Sequence, residues 1–147
     1  MKNITPLIDS NIFLDVFLCR VDFMEESSKV LDYCMNLENR CLISAHSITN
    51  MYYIMRKEIK DDLRREILLS LFDFFEIVSV DEQKLRAALL RSDFKDFEDC
   101  LQNECAVESN ADCIITRNKK DYEGADVKVY TPKEFICSFL TEESYGK

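Results

Sequence analysis

Glycine and proline are almost missing, two of each in 147 residues. So few turn formers do not build the many tight turns of an all-β sandwich, and the composition is not that of a disordered segment. Tryptophan is absent, and histidine occurs once, as His46. With one histidine and no CxxC pair, the ligand spacing of a structural zinc site is not met. No apolar run approaches the roughly 18 residues that read as a membrane span. The opening MKNITPLIDSN lacks the basic-then-apolar layout of a signal peptide. The expectation is a cytoplasmic protein with no membrane association.

An excess of cations is missing too. Lys and Arg number 19 against 28 Asp and Glu, for a net charge of −9. A protein that coats nucleic acid nonspecifically is normally basic. Acidity still leaves room for a nuclease, because a metal ion can supply the positive charge that meets a phosphate. The cations present are clustered: Arg56, Lys57, Lys60, Arg64 and Arg65, then Arg117, Lys119 and Lys120. Cysteine, by contrast, is plentiful at seven. Cys19, Cys34, Cys100, Cys105, Cys113 and Cys137 sit in apolar or helical contexts, and we read them as buried, reduced thiols. The length and a 47% hydrophobic fraction suit one domain with a sizeable core. We assign it residues 1–140, with 141–147 as a C-terminal tail.

Short apolar runs alternate with helical periodicity along the chain. Strands are expected at 6–9, 41–43, 77–80, 112–116 and 127–130. Helices are expected at 11–19, at 22–37 with Asp22 as N-cap, from Ser44 or Ser47 to 58, at 61–75, after Asp81, at 97–109, and from Thr131–Pro132 onward. Continuous apolar strands suit a parallel sheet covered on both faces, and functional residues in such sheets gather at the strands' carboxyl ends.

Three separated segments place oxygen ligands at such ends. Asp9 follows Pro6-Leu7-Ile8. Asp96 and Asp99 are spaced i, i+3 at a helix start, on one face. Thr116, Asn118 and Asp121 follow Cys113-Ile114-Ile115. Clustered carboxylates repel, so one must take a proton or share a cation. Oxygen-only ligands favour Mg²⁺ or Mn²⁺ over zinc. A cation of that kind serves phosphodiester hydrolysis by positioning the phosphate, activating water and stabilising the leaving oxygen. Taken singly, Asp9 and Asp96 are also ordinary helix caps, and Asp121 ordinary loop charge.

The strings LIDSNIFLD (7–15), DFEDCLQNECA (96–106) and ADCIITRNKKDY (111–122), followed by VKVYTPKEF (127–135), resemble in order and spacing the motifs of PIN-domain proteins, near the VapC toxin branch. The resemblance implies a three-layer α/β/α fold around a central parallel sheet. It also implies a Mg²⁺- or Mn²⁺-dependent ribonuclease, with an antitoxin protein and a homodimer among its associations. By position, Asp9 resembles the first metal ligand and Asp99 the third family acid, with Asp96 beside it as an auxiliary acid. Asn118 falls where a fourth acid or Asn is common, and Asp121 is the neighbouring carboxylate. Asn11 and Thr116 resemble the polar residues that orient the cluster. Asn50 stands where the family usually carries a glutamate, which implies weaker metal affinity. His46, one turn earlier, is read as a capping or packing residue.

The leading expectation is therefore a metal-dependent endoribonuclease, for which the resemblance implies the role of toxin in a toxin–antitoxin pair. Asp9, Asp96, Asp99 and Asp121 carry the chemistry. Asp9, Asp99, Asn118 and Asp121 hold the metal, and Asn11, Asn50 and Thr116 support them. Arg117, Lys119 and Lys120 steer the RNA, with a modest salt dependence because few phosphates are contacted. The competing reading is a weak or inactive PIN-like module that binds RNA or a protein. A receiver-like domain is disfavoured, because the surroundings of Asp81 do not fit one. The apolar faces Leu63-Ile67-Leu71-Phe74 and Tyr52-Tyr53 are read as core first and as a homodimer surface second.

Overall fold

The computed structural model describes residues 3–140; the expected tail, 141–147, lies outside them. Five short strands form one parallel sheet: β1 (Pro6–Ile8), β2 (Leu42–Ser44), β3 (Glu76–Val78), β4 (Cys113–Ile115) and β5 (Lys128–Tyr130), in the order β3-β2-β1-β4-β5. Among the described residues seven α-helices surround it: α1 (Ser10–Phe17), α2 (Met24–Met35), α3 (Ala45–Ile54), α4 (Asp61–Leu71), α5 (Glu82–Leu90), α6 (Phe97–Glu108) and α7 (Pro132–Phe139). A 3₁₀ turn at Met55–Lys57 follows α3, and another at Lys119–Tyr122, not expected from sequence, links β4 to β5. The three-layer α/β/α expectation is met.

Side chains alternate across each central strand, so the sheet separates two cores. Ile8, Ile43, Cys113 and Ile115 pack on one face with Ile12, Phe13, Val30, Met51 and Phe135. Leu7, Leu42 and Ile114 pack on the other with Cys105, Ala106 and Tyr122. Chain order explains the site's location. From β1 the sheet grows one way through β2 and β3, and the other way through β4 and β5. The switch point lies between β1 and β4, where α/β sheets open a crevice at the carboxyl ends. The ladder carries on past the strands there: the Asp9 N–H donates to the Ile115 carbonyl at 3.0 Å, and the Thr116 N–H to Tyr130 at 2.9 Å.

Side-chain caps account for three of the seven helix starts among the described residues, those of α5, α6 and α7. Asp81 caps α5 by accepting from the Lys84 N–H at 3.0 Å, and Thr131 and Glu134 close a capping box on α7 with Pro132 in its first turn. Asp22, expected to cap the second helix, does not. The Arg20 carbonyl takes the N–H groups of Phe23 and Met24, and α2 begins at Met24 without a side-chain cap.

Two cysteine expectations also change. Cys34, Cys41, Cys100, Cys105 and Cys113 are buried, whereas Cys19 and Cys137 are exposed; all seven are free. Of the face read as core or dimer surface, Leu71 is buried, and Ile67 and Phe74 are half-buried; Leu63 is exposed, as are Leu69 and Phe72. No helix of the described residues is long and apolar enough to cross a membrane.

Candidate metal centre

Asp9 leaves β1 at the switch point and is 6% exposed. It occupies the N-cap position of α1 without the side-chain bond by which a cap holds an N–H further along the first turn. Its oxygens are held from elsewhere: the Thr116 hydroxyl donates to Oδ2 at 2.8 Å, and the Gln102 amide to Oδ1 at 3.5 Å. Gln102 is itself oriented. The Ser44 hydroxyl donates to its Oε1 at 2.5 Å, and its Nε2 also donates to Ser47 Oγ at 3.2 Å. With Oε1 committed as acceptor, the amide nitrogen must face Asp9. This use of Ser44 explains why it sits at the start of α3 without capping it.

Asp99 approaches on the first turn of α6. Tyr122, buried beneath it, donates its hydroxyl to Asp99 Oδ1 at 3.1 Å. Asp96 caps the same helix, accepting the Asp99 N–H at 3.0 Å. Its bland reading as a cap is thus correct, and it also faces the cavity. Asp9, Asn11, Asn50, Asp96, Asp99, Asn118 and Asp121 line one polar cavity of about 210 Å³, together with Ser10, His46, Ser47, Glu98 and Gln102. The expected acids and their neutral partners therefore meet, with Thr116 just behind.

The electrostatics follow from that crowding. Burial raises the Asp9 carboxyl above its usual range, opposed by hydrogen bonds from Thr116, the Ser10 N–H and Gln102 and by the charge of Arg117. Burial and the charges of Asp9, Asp96 and Asp121 push Asp99 up to about 7, although the Tyr122 hydrogen bond opposes the shift. Burial, then the charges of Asp9 and Asp99, raises the Tyr122 phenol too, so that it remains a donor. His46 is pushed down, first by burial. Its Nε2 meets the Glu98 carbonyl at 3.2 Å and must carry the proton, which joins α3 to the first turn of α6.

The expected substrate cations are placed differently. None of Arg117, Lys119 and Lys120 lines the cavity. Arg117 turns away, its Nε donating to the fully buried Asp15 at 2.8 Å and its guanidinium lying 3.8 Å from the Phe23 ring centroid. Asp15 also accepts from Ser27 at 2.7 Å and from Arg20 at 3.4 Å. Lys119 pairs with Glu134 at 3.2 Å, and Lys120 is exposed. Behind the site, Arg91 binds Asp93, Glu104, Asp126 and the Gly124 carbonyl, pinning the connector that leads to Asp96. A Cβ on Gly124 would come within 2.7 Å of the Asp93 carbonyl oxygen, so the two loops meet only because this residue lacks one.

Sequence reading missed Gln102, Tyr122, Glu98 and Ser47. Gln102 carried a faint signal, a polar residue one turn after Asp99 on a helix with an apolar face. Tyr122 carried no signal of its own beyond standing next to Asp121.

Comparison with known proteins agrees with this architecture. The chain is 27% identical over 139 residues to Ribonuclease VapC1 of Aquifex aeolicus (strain VF5), covering 92% of this chain and 95% of that one. Among solved structures it resembles a toxin–antitoxin complex from Klebsiella pneumoniae, with a TM-score of 0.66, 23% identity, and coverage of 86% of this chain and 97% of that one. It also resembles VapC20 of Mycobacterium tuberculosis, a sarcin-ricin loop cleaving toxin, with a TM-score of 0.61, 10% identity, and coverage of 74% and 86%. These two structural likenesses concern the fold. A family model of the PIN domain matches residues 5–120, and with most of the chain inside that match, the protein belongs to the PIN-domain family.

Proposed function

We propose that the protein is a metal-dependent endoribonuclease, the toxin of a toxin–antitoxin pair, built as one PIN domain over residues 1–140. The observation that carries this reading is the uncompensated negative charge around Asp9 and Asp99. An Asp99 pushed to about 7 by burial, and then by three neighbouring carboxylates, marks a place where a cation is favoured over the bare cluster. The donor set is all oxygen at the cavity wall apart from His46, which suits Mg²⁺ or Mn²⁺. Among the described residues no three His, Cys, Asp or Glu side chains converge tightly enough to cage an ion. When bound, the cation supplies charge for the phosphate and an acidified water.

The chain's own residues do the positioning. Asp9 and Asp99 hold the cation, with Asn118 and Asp121 on the same rim and Asp96 adding negative charge. Thr116 and Gln102 fix the Asp9 carboxylate, and Tyr122 fixes one oxygen of Asp99, leaving its other oxygen free to turn inward. Asn11 and Asn50 close the cavity as neutral walls. Arg20 donates to Asn11 Oδ1 at 3.1 Å, and Asn50 Nδ2 lies 3.4 Å from Ser10 Oγ. Lys120, next to Asp121 of the rim and in no ion pair among the described residues, steers the RNA backbone. Its partner is an antitoxin protein, and seven free thiols suit the reducing cytoplasm.

A catalytically weak RNA- or protein-binding module is the second reading, favoured by the uncharged Asn50 in the cavity wall. Incubating the purified protein with a mixed RNA panel separates the two. We expect cleavage with Mg²⁺ or Mn²⁺, lost on chelation and reduced at least about 100-fold in Asp9→Asn and Asp99→Asn. RNA binding without turnover in either metal would select the second reading.

A further inference from the structure

One charged cluster plays no part in the site described above. Cavity-lining His46 and Asn50 lie on α3, and Tyr53 follows at i+7 and i+3, on the same helical stripe. Tyr53 is 60% exposed. Arg56 stacks over it, its guanidinium carbon 3.7 Å from the ring centroid, and is held there by a 2.9 Å hydrogen bond from Nη1 to the Tyr53 carbonyl. Lys57 and Lys60 follow, both exposed. Most described cations of this acidic protein are ion-paired, and nearby Asp61 is taken by Arg64 and Arg65. Among the described residues, Arg56, Lys57, Lys60 and the intervening Glu58 enter no ion pair.

A helix end attracts cations, but that does not explain a guanidinium held over an exposed ring one turn from the acidic cavity. Bases of single-stranded RNA stack on aromatic rings and on arginine planes, and cations alongside take the phosphates. The step from Asn50 to Tyr53 is about 5–6 Å between Cβ atoms, on the scale of a nucleotide or two. We propose that Tyr53, Arg56, Lys57 and Lys60 form a single-stranded RNA subsite continuous with the acidic cavity. One base stacks on the Tyr53–Arg56 pair, and Lys57 and Lys60 hold the neighbouring phosphates. The subsite rests on the ribonuclease reading and names how its substrate enters. It also answers how a chain of charge −9 approaches RNA, by a local cationic strip beside the acids.

The test uses the full chain and a short labelled single-stranded RNA. Binding is followed by fluorescence anisotropy in EDTA, and cleavage with Mn²⁺, each over a salt series. Arg56→Gln and Lys57→Gln are expected to weaken binding several-fold and raise KM with kcat unchanged. Each should flatten the slope of log K against log salt by about 0.7. Tyr53→Ala should weaken binding about tenfold with the slope intact. Lys128→Gln, on β5 away from the site, serves as control and should change neither. All four positions are surface-accessible, and equal melting temperatures will exclude unfolding. Wild-type RNA binding or cleavage left unchanged by the three variants overturns the subsite and leaves the ribonuclease reading standing. A wild-type protein that neither binds nor cleaves the RNA overturns both. Variants that lose a protein partner while keeping wild-type RNA affinity would assign the strip to that partner and overturn the subsite.

Discussion

Asp99→Asn removes one negative charge from a half-buried cluster while keeping the shape of the side chain and an oxygen to accept from Tyr122. In the folded protein the Asp99 carboxyl stands at about 7 against an ordinary 3.8. A folded value raised above the unfolded one is a penalty on the native state. The penalty is absent below the unfolded value, grows as pH rises from about 4, and is complete above about 7. Counted in full, the shift is about 4 kcal/mol at about 1.4 kcal/mol per unit. Partial solvation of the group reduces this to about 2 kcal/mol. A chain of this length gains about 2–4 °C in Tm per kcal/mol, so the variant should melt about 4–8 °C higher at pH 8 in EDTA. The gain should shrink to nothing near pH 4, where the wild-type carboxyl is neutral. Saturating Mg²⁺ should reverse the order, because a cation at 100 times its Kd stabilises the wild type by about 2.7 kcal/mol. Calorimetry over pH 4–8, with and without Mg²⁺, reads all three. An Asp99→Asn protein that melts at or below the wild-type temperature at pH 8, or gains as much at pH 4, refutes the argument from crowded carboxylates.

Two further outcomes follow from named contacts. Tyr122→Phe deletes the hydroxyl that holds Asp99 down, so the Asp99 carboxyl rises further. The acidic limb of the pH profile for cleavage should move up by about one unit, and an unmoved profile would show that the hydrogen bond is idle. Asp15→Asn leaves Arg117 and Arg20 without their buried anion and should cost about 3 kcal/mol in urea unfolding; a loss under about 1 kcal/mol would mean that the guanidinium groups find water instead.

The sequence by itself determined the elements and the roll of acids. Strands and helices follow from periodicity and caps, which are local: Pro6–Ile8 is a continuous apolar run, and Asp81, Asp96 and Thr131 each satisfy an N–H three residues on. Asp9, Asp99 and Asp121 were visible as carboxylates at strand ends or helix starts. Local reading failed where a side chain had a distant choice of partner. Ser44 was one of two serines that could open the helix, but its hydroxyl serves Gln102, 58 residues away, and Arg117 looked like a phosphate ligand but serves Asp15, 102 residues away. Only the tertiary structure decided these, because the sheet order β3-β2-β1-β4-β5 brings the ends of β1, β2 and β4 together. Gln102 and Tyr122 became site residues for the same reason. Their polar atoms point where α6 and the loop after β4 converge on Asp9 and Asp99, and no spacing along the chain encodes that convergence.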